Sequence, residues 1–196
     1  MYRYRVVCGK SMDSVRSTVV PGLIYIPDFL SEQEEDDLLS TVDSQTWNTS
    51  LKRRTQHYGR RYDYTSSKLV DAVEPLPDFL SSLTDRIYRL EVFESAPAQC
   101  IVNEYMPGQG ISAHVDSIKQ FGPVIASVSL GSDAVMQFTQ NDCSVDVLLQ
   151  RRSVVLLTED ARTVWKHAIP ARKSDRCDGV VIKRDRRVSL TFRTLL

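Results

Sequence analysis

The sequence predicts a mainly β protein with flanking helices, a double-stranded β-helix or jelly roll braced near its N-terminus. Three observations carry this expectation. From Gln99 onward the chain is a succession of short apolar runs broken by Gly/Pro turns, with no helical pattern between them. The two segments with helical spacing, starting near Ser31 and Leu76, both precede that region. The closing stretch RRVSLTFRTLL alternates, with Val188, Leu190 and Phe192 on one face and Arg187, Ser189, Thr191 and Arg193 on the other.

The first apolar run, Pro21 to Phe29, is bracketed by prolines and suits an edge strand. A helix follows, with Ser31 as N-cap, Glu34 completing a capping box and Leu38, Leu39 and Val42 on its buried side. Its acidic start, Glu32, Glu34 and Glu35, reads as a solvated first turn favoured by the helix dipole. Leu76 to Leu90 predicts a second helix with Pro77 in its first turn. Strands are expected at 99–105, 111–116, 124–130, 134–138, 145–149, 153–157, 163–169 and 187–194, with a PGQG turn at 107–110.

At 196 residues with 42% hydrophobic side chains, the chain suits one domain over 1–196. Basic and acidic residues balance at 25 each, so net charge selects no partner class. No apolar run approaches the roughly 20 residues that span a bilayer. The N-terminus lacks the order of a secretory signal. The expectation is a soluble intracellular protein, cytoplasmic or nuclear, with no membrane partner and no feature calling for an obligate protein partner. The mildly basic, serine-containing start MYRYRVVCGKSMDSVRS is compatible with an organelle address, but a frayed terminus is the simpler reading. Cys8, Cys100, Cys143 and Cys177 show no CxxC spacing, which fits free thiols in a reducing compartment.

Chemistry concentrates at Ile111 to Asp116, ISAHVD. If this run is a strand, His114 and Asp116 project to one side. An imidazole and a carboxylate converging with a second imidazole form the facial triad of non-haem Fe(II) sites. Of the two other histidines, His167 lies at the end of an apolar run closed by Pro170. His57 lies among arginines and tyrosines that read as surface, so His167 is the better third ligand. The tripeptide HxD alone is also common by chance.

Between Ser50 and Lys68 the chain gathers Lys52, Arg53, Arg54, Arg60, Arg61 and Lys68 around Tyr58, Tyr62 and Tyr64, opposed locally by Asp63. Cations neutralise phosphates and aromatic faces stack bases, so the stretch reads as a nucleic-acid contact, with single strands favoured; a solvated hairpin paired to acidic neighbours is the alternative. On the last strand, Arg187 and Arg193 stand roughly 20 Å apart at about 3.3 Å per residue. A barrel interior holding both requires anions, and a small dicarboxylate matches the guanidinium fork. An exposed edge strand would alternate in the same way.

The ordered set Asn103-Tyr105-Pro107-Gly108, His114-Asp116, His167 and Arg187-Ser189-Thr191-Arg193 resembles the AlkB family of Fe(II)/2-oxoglutarate dioxygenases, from about Pro21 to the C-terminus. The resemblance implies that His114, Asp116 and His167 bind iron. It places Tyr105, Arg187 and Ser189 on the distal carboxylate of 2-oxoglutarate, with Asn103 and Arg193 near its metal-chelating end. It also implies that O2 is consumed, succinate and carbon dioxide are released, and a substrate C–H bond is oxidised.

Two departures bear on the substrate. Ile118 stands where the bacterial repair enzyme of the family has a second acidic residue, and Ser189 replaces a common asparagine. LKRRTQHYG, and FG after HVD, look more like the branch that hydroxylates the wobble-uridine side chain of tRNA. Oxidative demethylation of N-alkylated bases in DNA or RNA and wobble-uridine hydroxylation are therefore both implied. A dioxygenase of a non-nucleic-acid substrate and a binding module without turnover are the rivals. The resemblance makes residues 50–68 a nucleotide-recognition lid, with Arg53, Arg54, His57, Tyr58 and Tyr62 as substrate-binding candidates. The basic stretch Arg172 to Arg186 is either a further phosphate contact or a solvated irregular crossing.

Overall fold

Period-two alternation in the apolar runs after Gln99 produces two sheets stacked face to face. The computed structural model describes residues 2–6, 15–63, 68–70 and 75–196, leaving aside the side chains of 2–6, 15, 61–63 and 68–70. In chain order the strands are β1 (Tyr2–Val6), β2 (Val15–Arg16), β3 (Leu23–Ile26), β4 (Thr55–Tyr58), β5 (Arg61–Asp63), β6 (Lys68–Val70), β7 (Gln99–Tyr105), β8 (Ile111–His114), β9 (Phe121–Gly131), β10 (Ala134–Gln140), β11 (Cys143–Leu149), β12 (Val154–Leu157), β13 (Lys166–Ile169), β14 (Ser174–Cys177), β15 (Val180–Lys183) and β16 (Arg187–Leu195). The helices are α1 (Glu32–Ser44), α2 (Ser81–Tyr88) and α3 (Glu159–Thr163). None of them is long and apolar enough to cross a membrane.

The larger sheet runs β2-β3-β12-β9-β16-β7-β4, and the smaller runs β1-β11-β10-β13-β8. One face of the larger sheet, including Val102, Val128, Leu190 and Phe192, packs under α1 and α2 through Val42, Leu83 and Ile87. The opposite face meets the smaller sheet in a second core around Tyr25, Ile125, Phe138, Val147 and Leu157. The jelly roll braced by N-terminal helices is the architecture expected from the sequence.

Helix α1 begins where its caps require. The Ser31 hydroxyl accepts from the Glu34 amide at 3.2 Å, and the Glu34 carboxylate accepts from the Ser31 amide at 2.7 Å. Its acidic first turn is not wholly solvated, contrary to expectation. Glu35 is fully buried and accepts from Arg151 Nε and from the Gly131 amide, each at 2.7 Å, anchoring the helix to the end of β9. The second helix is shorter than its pattern, because a 3-10 turn at Asp78–Leu80 precedes α2.

Several local expectations change. Tyr2–Val6 pairs in parallel with β11 instead of fraying, and β2 covers β3, which is therefore not an edge. The run 163–169 starts in the short helix α3 before becoming β13. The stretch from Arg172 to Arg186 is not an irregular crossing but contains the β14–β15 hairpin. Arg172 and Arg184 close on the buried Asp175 at 2.5 and 2.6 Å, so these two side chains share one carboxylate within the protein.

Candidate metal centre and cosubstrate cavity

At the edge of the smaller sheet β13 pairs with β8, where His114 and His167 are register partners with ring centroids 4.4 Å apart. Close approach of the two backbones depends on Gly110, where a Cβ would lie 2.1 Å from the Ile169 carbonyl oxygen. Asp116 arrives differently from the expectation. β8 ends at His114, so strand alternation does not set the carboxylate's direction. Asp116 sits on the following loop, where one oxygen lies 3.4 Å from His114 Nε2 and the other accepts from Arg193 Nε at 2.9 Å. Ligand atoms from His114, Asp116 and His167 lie within 4.8 Å of one another.

The electrostatics suit a cation. His114 Nδ1 lies 2.8 Å from the Ser112 carbonyl, which holds the proton on that nitrogen and leaves the Nε2 lone pair facing Asp116. Burial pushes His167 down to about 4, so it is a neutral donor at pH 7. Burial would raise Asp116, but Arg193 and the two imidazoles outweigh it and hold the carboxyl well below its usual range. Burial likewise works to lower His114, yet the Asp116 carboxylate and the Ser112 carbonyl leave it raised. Two imidazoles and one ionised carboxylate on one side form a donor set that fits Fe(II).

An inner cavity of about 50 Å³ and an outer cleft of about 430 Å³ meet at this cluster; Asn103, His114, Asp116 and Arg193 line both. The inner cavity has an apolar wall including Met136 and Leu157 and a polar wall from β7 and β16 including Tyr105, Arg187, Ser189 and Thr191. The polar face of the closing strand thus points inward. Arg187 is buried, donates to the Ser129 hydroxyl at 2.9 Å and lies 5.5 Å from the Tyr105 ring centre. Its Nε has no partner, and burial pulls its pKa down to about 10. A buried guanidinium facing a cavity with an unpartnered donor fits a carboxylate ligand. Ser129 escaped sequence reasoning, although the alternation of Ile125, Ser127 and Ser129 in an otherwise apolar strand marked a polar inner face.

The expected substrate residues divide by strand parity. Arg53 lines the outer cleft and donates to Asn103 Oδ1 at 3.0 Å. His57 is the register partner of Ile101, which lines the same cleft, so it lies on that face. Arg54 and Tyr58 face the other way, which corrects their assignment to a base-covering lid. Arg54 is paired with Glu104 at 2.6 Å and lies over Trp47; Tyr58 bonds Gln56 and meets the Phe79 ring edge-on. Tyr62 lies on β5, which pairs with β6, and its side chain is outside the described residues, as are Tyr64 and Cys8.

The model of the 2OG-Fe(II) oxygenase superfamily matches residues 22–193. The chain is 36% identical to the Macaca fascicularis protein "tRNA (carboxymethyluridine(34)-5-O)-methyltransferase ALKBH8", over 88% of this chain but 30% of that one. It is 30% identical to the Danio rerio "Probable RNA/DNA demethylase ALKBH6", over 88% of this chain and 85% of the relative. The solved structure of OsALKBH1 superposes with a TM-score of 0.72 at 17% identity, covering 93% of this chain and all of that one, which supports the fold. With a histidine–aspartate–histidine cluster at the junction of its two cavities, the chain belongs to the AlkB family of the 2OG-Fe(II) oxygenases, near its ALKBH8 branch, and is a dioxygenase dependent on Fe(II), 2-oxoglutarate and O2.

Proposed function

We propose that the chain acts as one catalytic domain that oxidises a nucleobase in single-stranded nucleic acid, removing an N-alkyl group or hydroxylating a base side chain. The observation that carries this reading is the meeting of the two cavities at His114 and Asp116, with His167 beside them in the inner one. The inner one takes the dicarboxylate and the outer one the base. A base must leave its stack to enter such a cleft, which favours unpaired substrates.

In this reading His114, Asp116 and His167 hold Fe(II), which with 2-oxoglutarate and O2 supplies oxidation of a C–H bond as the cosubstrate leaves as succinate and carbon dioxide. Arg187 binds the distal carboxylate, assisted by Tyr105 and Ser189. Arg193 keeps one Asp116 oxygen occupied and, with Asn103, borders the metal-proximal end of the cavity. The apolar wall excludes water from the remaining space. Arg53, with His57 on the same face, positions the base or its phosphate. Residues 50–53 and the paired strands β5 and β6 are the candidate lid. If the oxidised carbon is an N-methyl group, the product N–CH2OH expels formaldehyde; if it is bonded to carbon, the alcohol persists.

Hydroxylation of a tRNA wobble-uridine side chain is the second reading, favoured by the higher identity to the ALKBH8 relative and by Ile118, which offers no charge to an alkylated, cationic base. The test is mass spectrometry of nucleosides from tRNA and from methylated single strands after incubation with Fe(II), ascorbate and 2-oxoglutarate in air. Formaldehyde with loss of a methyl group establishes demethylation, and gain of one oxygen on a uridine establishes hydroxylation. Succinate formation with every nucleoside unchanged overturns the nucleic-acid reading.

A further inference from the structure

Arg162 is among the largest fully buried side chains of the protein, yet it lies on the five-residue helix α3 and no carboxylate among the described residues pairs with it. Four backbone carbonyls satisfy it instead. Nη1 donates to Asp116 O at 2.8 Å, Nη2 to Ser117 O at 3.2 Å and Phe121 O at 3.1 Å, and Nε to Gly122 O at 3.1 Å. One planar fork thus binds both ends of the loop that carries Asp116. Burying a cation against neutral carbonyls is unfavourable unless nearly all of its donors are used, as they are here.

We infer that Arg162 is a positioning residue for the metal centre, clamping the 116–122 loop so that the Asp116 carboxylate is held ready for the cation. Three observations support this. Asp116 lies beyond the end of β8, so strand pairing does not hold it. Arg162 stands five residues before His167 on the segment that leads into β13, so its bonds tie the second and third ligands to each other. Arg193, which donates to the Asp116 carboxylate, restrains that carboxylate but not the backbone. A lysine in place of Arg162 keeps the charge but cannot reproduce a fork reaching four carbonyls. The inference rests on His114, Asp116 and His167 being the metal ligands.

The test uses Co(II) alone, titrated anaerobically into the apo full chain and followed by its visible absorption, for wild type, Arg162→Lys, Arg162→Gln and His167→Ala. Thermal unfolding of each apo protein reports folding. Displacing a group that orients a metal ligand typically weakens affinity roughly 10–100-fold, and that loss, with an altered Co(II) spectrum, is expected in folded Arg162→Lys. Wild-type affinity and spectrum in that variant overturn the clamp. No Co(II) binding by wild type, or unchanged binding by His167→Ala, overturns the ligand assignment instead. Hydrogen exchange of amides 115–122 in wild type needs no variant to fold. A clamped loop is protected in the apo protein and changes little on adding Co(II), whereas protection appearing only with the metal overturns the inference.

Discussion

The two faces of the larger sheet both carry arginines, and they use them in opposite ways. On the helix-covered face, Arg54 and Arg186 converge on Glu104 at 2.6 and 2.7 Å, and Arg186 also reaches Asp43 on α1 at 2.9 Å. On the cavity face, Arg187 has a serine hydroxyl, an aromatic ring and an unpartnered Nε. The first set ties α1 to the sheet. The second leaves a desolvated cation with a donor still open to a ligand. A buried charge that the protein does not itself neutralise marks a binding site more clearly than a charged stretch does.

Substitutions on the two faces should separate accordingly. His167→Ala, on the smaller sheet across the cavity, is expected to reduce 2-oxoglutarate-dependent succinate formation to background while thermal unfolding of the apo protein remains cooperative; turnover near wild type would remove His167 from the ligand set. Phe192→Ala, on the helix-covered face of the strand that carries Arg187, deletes a fully buried ring and is expected to cost about 3–5 kcal/mol in urea unfolding. The folded fraction should keep its 2-oxoglutarate KM, and a raised KM would mean that the faces are coupled. Arg187→Lys should raise that KM roughly 10–100-fold, because a charge-assisted hydrogen bond contributes about 1.5–3 kcal/mol; an unchanged value would place the cosubstrate elsewhere. Arg54→Gln should be the mildest. Its side chain is 41% exposed and Glu104 keeps Arg186, so about 1 kcal/mol or less of stability and no change in KM are expected. A large KM effect there would show that Arg54 reaches the cleft after all.

Legibility in the sequence followed the range of the forces involved. The Ser31–Glu34 capping box and the bounds of β7 depend on neighbours a few residues apart, and both stand as their patterns predict. The alternation of β16 was equally clear, but its direction was not, since an exposed edge strand would look the same. Pairing between β9 and β7 turns Arg187, Ser189, Thr191 and Arg193 inward. In the 53–58 stretch, density of positive charge suggested one recognition surface. Pairing of β4 with β7 divides it, sending Arg54 and Tyr58 to the face opposite Arg53 and His57.

By itself, the sequence determined the jelly roll, the order of the histidine, aspartate and arginine motifs and the family to which they belong, because periodicity and motif spacing are properties of a linear chain. Only the tertiary structure decided that Asp116 lies beyond its strand, that Glu35 is a buried anchor and that Arg162 spans the metal-site loop. Glu35 and Arg162 act on partners 40 or more residues away, Glu35 on the Gly131 amide and the Arg151 side chain and Arg162 on backbone carbonyls, so no local pattern announces them.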